Sequence, residues 1–189
     1  MRSYLRQHLI RAWHSCIRND YNQQKINSER TLQGAFWCRL ARGLKPQMRL
    51  FIEPVLRLDT DRSVIPDIVV CNTRSLICII ELKYLPRVLP RTRKDIDNLC
   101  EIATLCQQGH QIEFEHRRYR GKHAAPARYR LVSSTLHVWA GIHADDDCEH
   151  VGNFSEECTA LEGRYLQLQA ITHEAGTPDI LVNGRKVRR

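Results

Sequence analysis

The chain has 189 residues, a hydrophobic content of 42% and a formal net charge of +8 at pH 7. These values fit a single domain over residues 1–189 and favour a polyanionic partner such as nucleic acid. The sequence lacks an apolar stretch long enough for a membrane span or a signal peptide. We therefore expect an intracellular protein, cytoplasmic and associated with nucleic acid, without a membrane partner.

The N-terminal part predicts two amphipathic helices. Residues 1–26 carry apolar and aromatic side chains at helical spacing, which indicates an additional helix in contact with the core or with another subunit. A second helix is predicted over residues 28–40, where Ser28 is a residue type that caps helix N-termini. Glu29 and Gln33 lie one turn apart on one face of this helix.

Three strands are predicted next. Residues 48–58 predict the first strand, in which Pro54 indicates a bulge or an edge position. Residues 64–70 and 76–84 are rich in β-branched and aliphatic side chains, and the turn-forming residues between them predict a hairpin. Glu53 lies in the first strand and is an additional acidic candidate.

The remainder of the chain predicts one further helix and several strands. Residues 92–108 have an apolar side and end at a glycine, which predicts a helix, and residues 137–142 predict the next strand. Beyond them, residues 143–189 predict a β-rich extension. It contains a strand over 164–171 and a hairpin around Asn-Gly over 180–187.

Charged residues stand at the ends of the two hairpin strands. Asp67 directly precedes the apolar run of one strand. Glu81 and Lys83 follow five apolar residues of the other, where a charge is costly to bury unless it has a role. Alternate residues of a strand share a face, so Glu81 and Lys83 would face one site while Leu82 points into the opposite core. Asp67 and Glu81 could bind a hard divalent ion, and the lysine could orient a metal-bound water.

The sequence Pro66-Asp67, followed by Glu81-Leu82-Lys83, resembles the motif of the PD-(D/E)xK nuclease superfamily. The resemblance covers roughly residues 28–142. It implies an α/β, restriction-endonuclease-like fold with a central mixed β-sheet flanked by helices in an α-β-β-β-α-β core. It also implies a Mg²⁺- or Mn²⁺-dependent nuclease that hydrolyses phosphodiester bonds, with DNA as the favoured substrate.

The same resemblance assigns roles to individual residues. The implied catalytic residues are Glu29, Asp67, Glu81 and Lys83. The implied metal ligands are Asp67, Glu81 and the carbonyl oxygen of Leu82. Glu29 is preferred over Glu53 as the family's helix acid because its helix precedes the first core strand, although a first-turn glutamate is also favoured by the helix dipole. Gln33, its neighbour, is assigned to nucleic-acid contact.

Basic residues form a second cluster, interleaved with tyrosines, over residues 117–130. The predicted phosphate contacts in this cluster are Arg117, Arg118, Arg120 and Lys122. Cationic side chains that neutralise phosphates supply affinity that does not depend on base sequence. Tyrosines beside them could stack on unpaired bases.

Two other functions are compatible with the same residues. One is a binding module that kept the fold but lost turnover, as a subunit of a larger nucleic-acid-processing complex. The other is an RNA-directed defence nuclease. A homodimer is compatible with each of these functions.

The eight cysteines include no C-x-x-C pair, and most lie on apolar faces of predicted elements. Irregular spacing argues against a zinc site. In an intracellular protein we expect these thiols to be reduced and to pack as small hydrophobic side chains.

Overall fold

The computed structural model describes residues 2–58, 62–88, 93–116, 127–144 and 158–187. These residues form an α/β structure in which a mixed, curled β-sheet is flanked by helices. The predicted α/β class is therefore confirmed. The basic residues at 117–122 lie outside the described residues.

The three predicted helices are confirmed, the second and third with ends shifted by one residue, whereas the first is shorter than the predicted 1–26. They are α1 (Arg2–Cys16), α2 (Glu29–Ala41) and α3 (Arg93–Gln107). A turn of π-helix at Ile17–Tyr21 follows α1. Ser28 caps α2, because its Oγ accepts the backbone N–H of Thr31 at 3.3 Å while Thr31 Oγ1 accepts the N–H of Ser28 at 3.0 Å. This cap fixes the start of the helix and hence the position of Glu29 in its first turn.

Ten strands are present in the described residues. They are β1 (Arg49–Ile52), β2 (Leu56–Arg57), β3 (Ser63–Val64), β4 (Ile68–Cys71), β5 (Ser75–Leu85), β6 (Glu113–His116), β7 (Ala127–Ala144), β8 (Tyr165–Thr172), β9 (Asp179–Val182) and β10 (Arg185–Lys186). The main path of the sheet runs β1-β4-β5-β7-β6-β2-β3. Strand β8 joins β7 in parallel, β9 pairs with β8, and β10 pairs with β9.

The predicted hairpin of β4 and β5 is confirmed. The two strands are antiparallel, with Ile68 opposite Ile80. The turn between them is closed by Asn72, whose side-chain oxygen accepts the N–H groups of Arg74 and Ser75 at 2.9 and 2.7 Å. Strand β5 then pairs in parallel with β7, so it lies in the interior of the sheet.

Three predicted strands differ from the structure, and one of them, over 64–70, is broken into β3 (Ser63–Val64) and β4 (Ile68–Cys71). The single strand expected over 48–58 is wrong, because β1 ends at Ile52 and β2 begins at Leu56. Glu53 has a φ of +49°, and the following Pro54 has no N–H to donate to a ladder, so the chain leaves the sheet there. The strand predicted over 137–142 is the end of β7, whose first residues pair with the unpredicted β6.

Helices cover both faces of the sheet. Helices α1 and α2 pack on the face that carries Ile80 and Leu82, whereas α3 packs on the face that carries Ile79 and Trp139. Side chains of β5 therefore alternate between two apolar layers, and the sheet lies between them. Within the described residues, no helix combines the length and apolar character needed to cross a membrane.

The expectation that the cysteines are reduced is wrong for one pair. Cys100 on α3 and Cys158 form a disulfide with a Cα–Cα distance of 6.1 Å. The two cysteines are 58 residues apart in sequence, and packing of α3 against the segment that precedes β8 brings them together. The free cysteines among the described residues are Cys16, Cys38, Cys71, Cys78 and Cys106.

Candidate active site

The candidate site lies where β5 extends beyond β4. Pairing of the two strands reaches Ile68 opposite Ile80, and β5 continues to Leu85. Along this extension, the N–H of Leu82 donates to Asp67 Oδ2 at 2.6 Å and the N–H of Tyr84 donates to Glu29 Oε2 at 3.3 Å. Two carboxylates thus take the place of a neighbouring strand at this edge.

Asp67 and Glu81 form the centre of the site. Their carboxyl groups hydrogen-bond to each other, with Asp67 as the acceptor. Burial raises the pKa of Glu81 to about 9, and the nearby Asp67 carboxylate adds to the rise. Burial also raises the pKa of Asp67 to about 6, and the Glu29 and Asp95 carboxylates raise it further. The site therefore disfavours its own negative charge and is suited to a cation.

Lys83 lies on the same face of β5 as Glu81, one strand period further along. Its Nζ is 3.9 Å from Glu29 Oε2 and 3.6 Å from Asp95 Oδ2. Its side chain is 26% exposed, so the ammonium group has access to solvent and to a ligand. The structure thus brings Glu29, Asp67, Glu81 and Lys83 together, as the sequence analysis expects.

Gln33 supports the backbone of this site. It is buried, and its Nε2 donates to the carbonyl of Asp67 at 3.0 Å and to Glu53 Oε1 at 3.4 Å. The N–H of Glu53 donates to the same Asp67 carbonyl at 3.0 Å. Gln33 therefore holds Asp67 in place, and its contact with nucleic acid stays a prediction.

Glu29 on α2 and Glu53 after β1, the two candidates for the additional acid of the site, occupy different positions. Glu29 contacts β5 through Tyr84 and Lys83, and its charge acts on Asp67. Glu53 is exposed and contacts Gln33. Of the two, Glu29 is the acid that approaches the carboxyl pair through its side chain.

Asp95 is a site residue that the sequence analysis does not identify. It lies in the first turn of α3, and its Oδ2 accepts the Nε1–H of Trp139 at 3.4 Å as well as facing Lys83. Acidic residues are common in first turns because of the helix dipole. Its sequence position therefore gives no sign of its role, which depends on how α3 packs on the sheet.

The donor chemistry of the site fits a hard divalent ion. Asp67 and Glu81 offer carboxylate oxygens, and the carbonyl of Leu82 points to the same open edge as its N–H, as strand geometry requires. Among the described residues, however, no group of three or more His, Cys, Asp or Glu side chains is arranged to hold a metal ion. A metal at this site would therefore rest on the two carboxylates and the carbonyl.

The basic residues that follow the site in the sequence fall into two groups. Arg87, Arg93 and Lys94 are exposed around the connection from β5 to α3. The predicted contacts Arg117, Arg118, Arg120 and Lys122 are outside the described ranges. Later in the same basic stretch of the sequence, the described Arg128 and Arg130 of β7 are paired with Glu115 and Glu113 of β6 at 3.3 and 3.5 Å, which reduces the local positive charge.

A surface groove lies apart from this site, between α1 and the β9–β10 hairpin. Its lining includes His14, Arg18, Asp179 and Lys186. The Asp179 carboxylate is paired with Lys186 at 2.7 Å, so its charge is already compensated. The strand edge, with its buried acid pair and adjacent lysine, is the stronger candidate for chemistry.

Comparisons of the chain with protein-family models, with curated proteins and with solved structures find no match. The case for a function therefore depends on the geometry of the strand edge.

Proposed function

We propose that the protein is a metal-dependent nuclease with a restriction-endonuclease-like fold. It hydrolyses phosphodiester bonds, with DNA as the favoured substrate and Mg²⁺ or Mn²⁺ as the ion. One observation carries the proposal: the carboxyl groups of Asp67 and Glu81 are in contact, and Lys83 lies beside them on the same face of the sheet.

The residues of the site have separate roles in this proposal. Asp67, Glu81 and the Leu82 carbonyl hold the ion, which when bound neutralises a phosphate and acidifies a water molecule. Lys83 presents a half-buried ammonium group that stabilises negative charge on the phosphate oxygens in the transition state. Glu29 confines that ammonium from the side of α2, and Gln33 fixes the backbone of Asp67.

A binding module without turnover is the second candidate. It is favoured by one observation: within the described parts of the chain, no set of three or more His, Cys, Asp or Glu side chains could hold a metal ion. Such a protein would bind nucleic acid through phosphate contacts from its basic residues. The two candidates differ in whether bound nucleic acid is cut.

The test is to incubate the purified protein with linear, circular, single-stranded and branched DNA and with RNA, in Mg²⁺ or in excess EDTA. We expect cleavage in Mg²⁺ alone. Asp67→Asn keeps an oxygen for the N–H of Leu82 but loses charge toward the ion, so cleavage should fall at least about 100-fold. The matched control is Asp97→Asn, because Asp97 is an exposed acid on α3.

The outcomes separate the two candidates. Cleavage that survives in EDTA, or an Asp67→Asn protein that cuts as fast as wild type, would contradict the proposed metal site. Binding of nucleic acid by gel shift without cleavage in either metal would instead support the binding module. Cleavage of RNA alone would support the proposed mechanism and would show that the substrate is RNA and not DNA.

A further inference from the structure

The contacts of Asp95 connect the candidate active site to the opposite helical layer. Asp95 lies on α3, which packs on one face of the sheet, whereas Glu29 lies on α2, which packs on the other. The Asp95 side chain is 14% exposed, much less than the 46% of Glu29. Of the two acids that face Lys83, Asp95 is thus the more buried and, at 3.6 Å, the closer.

Trp139 fixes the orientation of Asp95. Its Nε1–H donates to Asp95 Oδ2 at 3.4 Å, and the indole is fully buried on β7. The ring lies over Gly141, where a Cβ would be 2.3 Å from Trp139 Cη2. The missing side chain at Gly141 therefore leaves room for the indole that holds Asp95.

We propose that Asp95 is a positioning residue that holds the Lys83 ammonium over the Asp67–Glu81 pair. This inference rests on the proposed nuclease function. A lysine side chain has four rotatable bonds and little preference for one direction, so an isolated Lys83 would sample solvent. The Asp95 carboxylate, anchored by the indole, restricts it from one face while Glu29 restricts it from the other.

Asp95 acts through Lys83 and not as a third ligand of the ion. Among the residues that the structure describes, no three acidic, His or Cys side chains are grouped around one metal position. The Asp95 carboxylate pairs with the Lys83 ammonium and accepts the indole N–H of Trp139, whereas it acts on Asp67 and Glu81 through its charge. Its loss should therefore lower the rate of cleavage and leave the metal requirement unchanged.

Asp95→Asn is the informative variant, because the asparagine oxygen can still accept the indole N–H while the charge that faces Lys83 is lost. We expect turnover to fall about 10- to 100-fold, with the Mg²⁺ half-saturation concentration and KM for DNA changed by no more than about twofold. Asp95→Glu restores the charge and should recover part of the rate. Asp97→Asn, an exposed acid on the same helix, should match wild type.

A double-mutant cycle tests whether the effect passes through Lys83. In a Lys83→Ala background, the further change Asp95→Asn should lower the residual rate much less than it does in wild type, because the group that Asp95 positions is absent and its charge then acts only on Asp67 and Glu81. Independently of activity, Lys83 should react faster with an amine acylating reagent in Asp95→Asn than in wild type. Mass spectrometry of the peptide that contains Lys83 measures that rate.

The results distinguish failure of this inference from failure of the proposed function. A wild-type protein that does not cleave overturns the function itself. A wild-type protein that cleaves while Asp95→Asn cleaves equally fast overturns the positioning role. Three other results would also overturn the positioning role. They are a raised Mg²⁺ requirement of Asp95→Asn at unchanged turnover, additive effects of the two substitutions in the cycle, and an unchanged rate of Lys83 acylation.

Discussion

At the scale of single residues, burial and mutual repulsion make it unfavourable for Asp67 and Glu81 to be ionised together. Glu81 is 9% exposed and holds its proton in contact with Asp67. Both pKa values are raised above the ordinary values of 3.8 and 4.5, to about 6 and about 9. Ionising both groups in the folded protein is therefore unfavourable unless a cation is bound.

This arrangement predicts a pH dependence of stability. Because both folded-state pKa values are raised, the folded protein binds more protons than the unfolded chain. The stabilisation is fully present below the unfolded pKa values, and it is lost as the pH rises through about 6 and then about 9. The free energy of unfolding in EDTA, measured by urea denaturation, should therefore fall between about pH 5 and about pH 9.5.

The variant Glu81→Gln isolates the contribution of the buried acid, because glutamine stays neutral. It should show a shallower loss of stability with pH than wild type, while Glu53→Gln, at an exposed acid near the same edge, should follow wild type. Added Mg²⁺ should flatten the wild-type curve at high pH. Equal slopes for wild type and Glu81→Gln would contradict the assignment of the high pKa to Glu81.

At the scale of elements, one indole packed against one glycine connects β7 to α3. Trp139 fills the space above Gly141 and reaches Asp95 in the first turn of α3. A side chain at Gly141 would displace the indole and, with it, the acceptor of its hydrogen bond. The strand and the helix are therefore coupled through this contact.

Gly141→Ala is expected to lower the free energy of unfolding by about 1–3 kcal/mol, because the new Cβ overlaps the indole in a packed layer. It should also reduce cleavage, since the indole holds Asp95. The control is Gly34→Ala on α2, where a Cβ meets no heavy atom within 4 Å. That change should be neutral or stabilising by up to about 1 kcal/mol, because alanine favours a helix over glycine.

Chemical denaturation and single-turnover cleavage measure both effects. A Gly141→Ala protein as stable as wild type would show that the layer accommodates the methyl group. A Gly34→Ala protein that loses stability would show that the cost is general to these glycines and not specific to the indole contact.

At the scale of the whole molecule, a disulfide joins distant parts of the chain. Cys100 on α3 and Cys158 before β8 enclose a long stretch that includes β6 and β7. Closing a loop of 58 residues restricts the unfolded chain strongly. The bond therefore stabilises the folded protein, including α3, relative to the unfolded chain.

Reduction of this disulfide should lower the free energy of unfolding by about 2–4 kcal/mol. Denaturation with and without dithiothreitol measures the change, and Cys100→Ser should be insensitive to the reductant. Cys106→Ser, at a free cysteine of the same helix, should respond to the reductant as wild type does. Identical stability in both conditions would contradict a contribution from the bond.

Most elements follow from local sequence. The N-cap Ser28, the turn at Asn72 and the Asn183-Gly184 hairpin are short-range patterns, and each lies where the sequence predicts it. The two strands of the candidate site are equally clear, because β-branched runs flanked by turn residues favour buried strands. The break at Glu53 is not predicted, since a positive φ at a glutamate depends on the contacts around it.

The sequence by itself determined the α/β class, the order of helices and strands near the site, and the shared face of Glu81 and Lys83, because strand alternation is a local property. Only the tertiary structure decided that Asp67 contacts Glu81, that Asp95 faces Lys83, and that Cys100 reaches Cys158. The first contact joins neighbouring strands, the second joins a helix to a strand, and the third spans 58 residues of the chain. Their distances depend on how the layers pack, and packing has no signature in the spacing of residues along one element.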